Sequence, residues 1–235
     1  MIDLHNHSLP GVDDGATNFE ESLELIRNLS EHGITDIFLT PHYIHETDQS
    51  PTCAHNIAIY NNLRKVVSSA KIPVKLYLGN EIYISRNIKD LVASDKIKPL
   101  GNSNYLLIEL PMSGEYPNYE GILMQLLSDG FKVILAHPER YHTFQKNYSL
   151  ILDLNSIGVL FQCNLGSIIG QYGHEPKKTL IKMAKDDLIF SFGTDIHHPR
   201  NYREIDLAIK ALRKYYSDDR LEDVLTKNAS LSLLS

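Results

Sequence analysis

Hydrophobic and polar positions fall in blocks along the chain. Seven short runs are almost wholly apolar: Met1–Leu4, Ile34–Leu39, Val74–Leu78, Tyr105–Leu110, Val133–Ala136, Val159–Cys163 and Leu188–Phe192. They are continuous rather than alternating, as parallel strands buried on both faces are. Between them the spacing is helical. Thr17-Asn-Phe-Glu20 reads as a capping box, Phe19, Leu23, Ile26 and Leu29 recur at helical intervals, and Gly33 is the stop. The same glycine-then-strand junction recurs at Gly130-Phe131 and Gly158-Val159. Further helices are predicted over about 55–70, 118–129, 145–156, 176–186, 201–215 and 218–231, with a short one over about 86–94.

Regular alternation of strand and helix predicts an α/β fold. Seven strand–helix units fit either an open doubly wound sheet or a barrel, and periodicity does not choose between them. At about 150 residues per domain, 235 residues is a prior of roughly 1.6 domains. No linker or break in composition divides the chain, so one domain over 1–235 is expected. The 43% of hydrophobic residues suffices for a sizeable core. The formal charge of −6, from 23 basic and 29 acidic residues, disfavours a sequence-independent nucleic-acid surface. No apolar run is long enough to span a membrane, and the start, MIDLHNHSLPGVDD, lacks the marks of a signal peptide. Two cysteines, Cys53 and Cys163, make no disulfide framework, and a reducing cytoplasm is the expected location.

The 11 histidines matter more than the charge, because of where they fall. Strand one ends in His5-Asn6-His7, with Asp13-Asp14 in the following loop. His42 follows strand two, Glu81 strand three, and Glu109 ends strand four. His137 ends strand five, and Asp195-Ile196-His197 ends strand seven. Six of the seven strands thus deliver a His, Asp or Glu to the carboxyl end, the face where parallel α/β folds place their chemistry. Residues i and i+2 of a strand point the same way, so His5 and His7 can face one ion together. Five imidazoles and four carboxylates without a thiolate suit Mn²⁺, Fe, Zn²⁺ or Mg²⁺. Nine donors exceed the need of one ion, so two or three ions are expected, with Glu81 or Glu109 bridging.

Taken in order, His5-x-His7, His42, Glu81, Glu109, His137 and Asp195-x-His197 resemble the polymerase-and-histidinol-phosphatase (PHP) superfamily over nearly the whole chain. More narrowly, MIDLHNHSLPGVDDG, GNEIY, LIEL, AHPERY and TDIHH resemble the bacterial metal-dependent tyrosine-protein phosphatases of capsule and exopolysaccharide operons. The resemblance implies a distorted seven-stranded (β/α)7 TIM-like barrel with a trinuclear, usually manganese-activated centre. It implies that His5, His7, Glu81 and Asp195 hold one ion and that Glu81, Glu109 and His137 hold a second. Asp14, His42 and His197 would hold the third; other branches of the superfamily use His where this chain has Asp14. Arg140 matches a phosphate-contacting arginine, and Arg200 is the counterpart of a second, with Arg203 as its substitute because the segment after Asp195 is short. His45 and His198 match no ligand and are read as supporting or exposed residues. The implied partner is the phosphotyrosine tail of a cognate capsule tyrosine kinase, with control of polymer synthesis as the outcome.

The implied chemistry is attack of metal-activated hydroxide on phosphorus without a phosphoenzyme. Thiol chemistry is excluded by sequence, since C-x5-R would need arginine at positions 59 and 169, which are both isoleucine. Cys163, inside an apolar strand, reads as a small buried hydrophobe. Gly166, Gly170 and Gly173 fit no G-x-G-x-x-G, and neither a phosphate loop nor G-x-S-x-G is present. The alternatives are a histidinol-phosphate-type phosphatase, a nuclease-like phosphodiesterase disfavoured by charge, and a non-catalytic metal-binding docking protein.

Overall fold

In a computed structural model of the chain, residues 1–47, 51–114, 116–199 and 203–233 are described. The strands among them are β1 (Ile2–Asn6), β2 (Asp36–Leu39), β3 (His42–Tyr43), β4 (Lys75–Leu78), β5 (Glu81–Tyr83), β6 (Tyr105–Glu109), β7 (Lys132–Ala136), β8 (Leu160–Asn164) and β9 (Ser191–Gly193). All pairings are parallel. The main helices are α1 (Phe19–Glu31), α2 (Cys53–Ser69), α3 (Ile88–Ala93), α4 (Tyr119–Ser128), α5 (His142–Lys146), α6 (Ser149–Ser156), α7 (Leu165–Ile169), α8 (His174–Lys185) and α9 (Arg203–Leu212). The α/β class expected from the pattern is the class observed.

Each of the seven apolar runs carries a strand, but hydrogen bonding gives nine strands in two ladders. One is β1-β2-β4 and the other β3-β5-β6-β7-β8-β9. The difference lies in two breaks, at Thr40-Pro41 and at Gly79-Asn80. The offset that pairs Asp36 with Lys75 in the first ladder is the offset that pairs His42 with Glu81 in the second. Proline has no N–H to give a ladder. Pro41 instead accepts at its carbonyl from Asn80 Nδ2 and from Glu81 N. The longer ladder curls, and β1 reaches its β9 end through a single bridge between Asn6 and Ile196.

The apolar runs are two-sided, which explains their continuity. Val133 and Leu135 of β7 face the helices, whereas Ile134 and Ala136 face an inner cluster with Leu4, Phe38 and Leu107. Strands of both ladders therefore share one interior. The first helix begins one residue later than the capping box suggested. Asn18 is the cap, accepting from the N–H groups of Glu20 and Glu21, while the Glu21 carboxylate accepts from Thr17 N and Oγ1. The predicted helix over 145–156 is two helices, α5 and α6, and the 218–231 region is interrupted by a π-turn at Asp223–Lys227. Helix α7 carries no amphipathic period and went unpredicted. No helix among the described residues is long and apolar enough to cross a membrane.

Close approach at the β1–β9 contact demands glycine. A Cβ on Gly193 would lie 2.6 Å from His5 Cβ and 2.9 Å from Gln162 Nε2, inside van der Waals contact. Gly193→Ala is expected to cost about 1–3 kcal/mol through overpacking, read as a lower denaturation midpoint. An unchanged midpoint would show that β9 does not press on β1 at this point.

Candidate metal centre

All nine side chains expected at the carboxyl ends of the strands are brought together. The centre of the group is the Glu81 carboxylate, which is fully buried. Its Oε2 lies 3.0 Å from His5 Nε2, 3.3 Å from His7 Nε2 and 2.9 Å from His42 Nδ1. Its Oε1 lies 3.0 Å from His137 Nε2. Despite these separations, neither Glu81 Oε2 nor His42 Nδ1 makes a hydrogen bond of acceptable angle. A buried carboxylate oxygen and a buried ring nitrogen left without a hydrogen bond among further imidazoles suit a cation between them, so the donor set fits divalent ions.

Three groups of donor atoms are compact enough to share an ion. They are His5, His7 and Glu81; His42, Glu81 and Glu109; and His7, Asp14, His42 and His197. Asp195 Oδ1 flanks the first group, 3.6 Å from His5 Nε2 and 3.5 Å from His7 Nε2. His137 Nε2 adjoins the second, 3.8 Å from Glu109 Oε1. Depth varies across the cluster. His5, His7 and Glu81 are sealed, the side chains of Glu109 and His42 are 12% and 15% exposed, and those of His197 and Asp14 are 27% and 60% exposed. The cluster thus opens to solvent on the Asp14–His197 side.

The electrostatics follow from that burial. Desolvation alone would lower the His5 pKa, but the Glu81 and Asp195 charges outweigh it and raise it to about 9. Burial is likewise overcome at His7 by Asp13 and at His42 by Glu81, and both rise to about 10. Glu81 and Asp195 are pulled down against their own burial by the surrounding imidazoles. Glu109 goes the other way: burial and the neighbouring Glu81 charge raise it to about 7. His197 is lowered, first by burial and then by the His7 charge.

A second ring of groups, absent from the sequence reading, orients the first. His7 Nδ1 donates to Asp13 Oδ2 at 2.8 Å, leaving Nε2 to face Glu81. Asp13 also accepts from the N–H groups of Gly15 and His42. Gln162 Oε1 holds His5 Nδ1 at 2.8 Å. Gln162 Nε2 then donates to Asn164 Oδ1, and Asn164 Nδ2 to Asp195 Oδ2. Such partners fix ring orientation and tautomer. The signal was present in β8, which carries the one predicted run that ends in no His, Asp or Glu, where polar Gln162 and Asn164 stand at i and i+2 among apolar residues. Backbone geometry contributes too. His137 and Asp195 both have positive φ, 33° and 52°, sparsely populated conformations for residues other than glycine, and both leave their strands there.

Arg140 reaches the rim of the cluster from a 3-10 turn at Pro138–Arg140, and its Nη1 lies 2.6 Å from Asp195 Oδ2. The turn is anchored by buried Glu139, whose Oε1 accepts from Asn164 N and Ser167 Oγ. Arg200 lies outside the described residues, as does the side chain of Arg203, whose backbone opens α9. His45 lies 3.6 Å from Glu46; His198 lies 3.5 Å from Glu21 and borders the same cavity as Asp195 and His197. Cys163 is fully buried beside Met183, and burial pushes its thiol pKa well up, which suits an inert core residue.

The family model described as "Capsular polysaccharide synthesis, CpsB/CapC" matches residues 1–234. The putative tyrosine-protein phosphatase CapC of Staphylococcus aureus is 33% identical over 237 residues, covering 99% of this chain and 91% of that protein. The tyrosine-protein phosphatase YwqE of Bacillus subtilis is 31% identical over 236 residues, with the same coverage of each. A structure from work on YwqE of Bacillus subtilis and CpsB of Streptococcus pneumoniae, described as unique metal-dependent tyrosine phosphatases, superposes with a TM-score of 0.89. It is 28% identical, and the match covers 100% of this chain and 94% of that one. A histidinol phosphate phosphatase from Lactococcus lactis shares the fold at a TM-score of 0.62 and 13% identity. By sequence, by fold and over its whole matched length, the chain belongs to the CpsB/CapC family of capsular polysaccharide synthesis.

Proposed function

We propose that this chain is a metal-dependent phosphatase that removes phosphate from tyrosine side chains of a protein substrate. The observation that carries the reading is the buried Glu81 carboxylate, with imidazole nitrogens crowded on both its oxygens and no hydrogen bond at Oε2. The relatives named as tyrosine-protein phosphatases support the substrate class. In this reading His5, His7, Glu81 and Asp195 hold one divalent ion. Glu81, Glu109 and His137 hold a second, and Asp14, His42 and His197 a third. Mn²⁺ is the proposed metal, with Fe, Zn²⁺ and Mg²⁺ compatible with the same nitrogen and oxygen donors. Bound divalent ions supply Lewis acidity, lowering the pKa of water towards neutrality and balancing phosphate charge.

The chain's own contribution is placement. Asp13 and Gln162 fix which ring nitrogen of His7 and His5 faces inward. Arg140, partly exposed beside Asp195, offers a planar fork suited to two phosphate oxygens. A phenolate leaving group, whose conjugate acid has a pKa of about 10, departs without a dedicated proton donor. The proposed partner is the phosphotyrosine segment of a tyrosine kinase of capsule synthesis, met in the cytoplasm. We further read the two ladders as one interrupted ring of seven strands, closed through Asn6 and Ile196, and residues 1–235 as one working unit.

Protein loaded with Mn²⁺ is expected to hydrolyse phosphotyrosyl peptides and to lose that activity in excess chelator. Turnover of histidinol phosphate but not of phosphotyrosine would overturn the substrate reading, and chelator-resistant turnover would overturn the metal requirement. His137→Ala should lose bound metal and activity together in a folded protein. Asp13→Ala, which touches no proposed ion, should weaken metal affinity about 10–100-fold. Metal content by elemental analysis checks both, and unchanged content in His137→Ala would remove that residue from the centre.

A further inference from the structure

The glycines at 166, 170 and 173 match no nucleotide-binding spacing, yet they build a defined feature. Gly170 and Gly173 both have positive φ, 88° and 101°, and bracket the two-residue tip Gln171-Tyr172. Gln171 folds back over Gly166, where a Cβ would collide with its side-chain amide, and Gln171 N donates to the Gly166 carbonyl. The tip is thereby fixed, and it sets the Tyr172 ring face 4.2 Å from the Arg140 guanidinium carbon.

Arg140 is consequently restrained in two directions. Its Nη1 is tied to Asp195 Oδ2, and its guanidinium carbon lies over the ring of Tyr172. One ion pair fixes a point and leaves the fork free to swing; the aromatic face removes that freedom. The ring also borders a cavity of about 210 Å³ with Leu165, Asp195, Ile196, His197 and Ile205, on the side where the cluster meets solvent. We infer that Tyr172 is a positioning residue for phosphate recognition, holding the Arg140 guanidinium in the orientation that receives the substrate's phosphoryl group. This rests on the phosphatase reading above, with Arg140 as the phosphate contact.

Tyr172→Phe keeps the ring face against Arg140 and removes only the hydroxyl, which meets Asn164, whereas Tyr172→Leu removes the face itself. With Mn²⁺-loaded protein and an aryl phosphate, Tyr172→Phe should stay within about twofold of the parent chain, whereas Tyr172→Leu should raise KM about tenfold with a smaller change in kcat. Inorganic phosphate, titrated by calorimetry, should bind Tyr172→Leu about tenfold more weakly while metal content and melting temperature hold. Combined with Arg140→Ala, Tyr172→Leu should add almost nothing, since the two act through one guanidinium. Parent-like KM and phosphate affinity in Tyr172→Leu, or full additivity with Arg140→Ala, would overturn the inference and leave the phosphatase reading intact. A parent chain that hydrolyses no aryl phosphate in Mn²⁺ would overturn both.

Discussion

A single buried carboxylate organises the carboxyl face of this molecule. Glu81 has no exposed surface, and an ionised carboxylate in such a place is tolerated only if it is compensated. Compensation comes from His5, His7, His42 and His137, which are 76, 74, 39 and 56 residues away in sequence and therefore need the whole ladder to bring them in. The breaks at Thr40-Pro41 and Gly79-Asn80 take their meaning from this requirement. They restart the β2–β4 pairing as β3–β5, so that His42 and Glu81 become direct cross-strand partners at the mouth of the fold.

The rest of the site is built outward from that pair. Asp13 and the Gln162–Asn164 chain of amides orient His7, His5 and Asp195, and Glu139 pins the turn that presents Arg140. At the same face His137 and Asp195 hold left-handed backbone where the chain leaves its strands. Charge works with geometry. In the protein freed of divalent ions, the raised pKa values of His5, His7 and His42 mean that imidazolium–carboxylate pairing stabilises the fold. That stabilisation is fully present below the ordinary imidazole pKa of about 6.5 and is lost as pH rises through about 9 to 10.

Much of this was legible in the sequence because it is carried by local pattern. Runs such as Tyr105–Leu110 and Val133–Ala136 announce two-sided strands, and the ligating types at their ends announce a shared face. What escaped was set by tertiary context. The two-residue β3 and three-residue β5 are too short to show a period, and α7 buries most of its few residues and so lacks a polar face. Gln162 and Asn164 were missed because amides are not metal ligands by habit, although their i, i+2 spacing in an apolar strand was visible. Asp13 was passed over for its neighbour Asp14, and only the fold shows that Asp13 turns in to His7 while Asp14 stays half in solvent.

In the proposed metal-dependent reading, the imidazoles around Glu81 would give up protons on taking divalent ions. Calorimetric titration of metal-free protein with Mn²⁺ at pH 7.5, repeated in buffers of different ionisation enthalpy, counts the protons released. Because the neighbouring carboxylates raise His5 to about 9 and His7 and His42 to about 10, and ligands bind metal only when deprotonated, net release on the order of one proton per imidazole engaged is predicted. Full loading with Mn²⁺ and no net proton release would show that these imidazoles do not hold the ions.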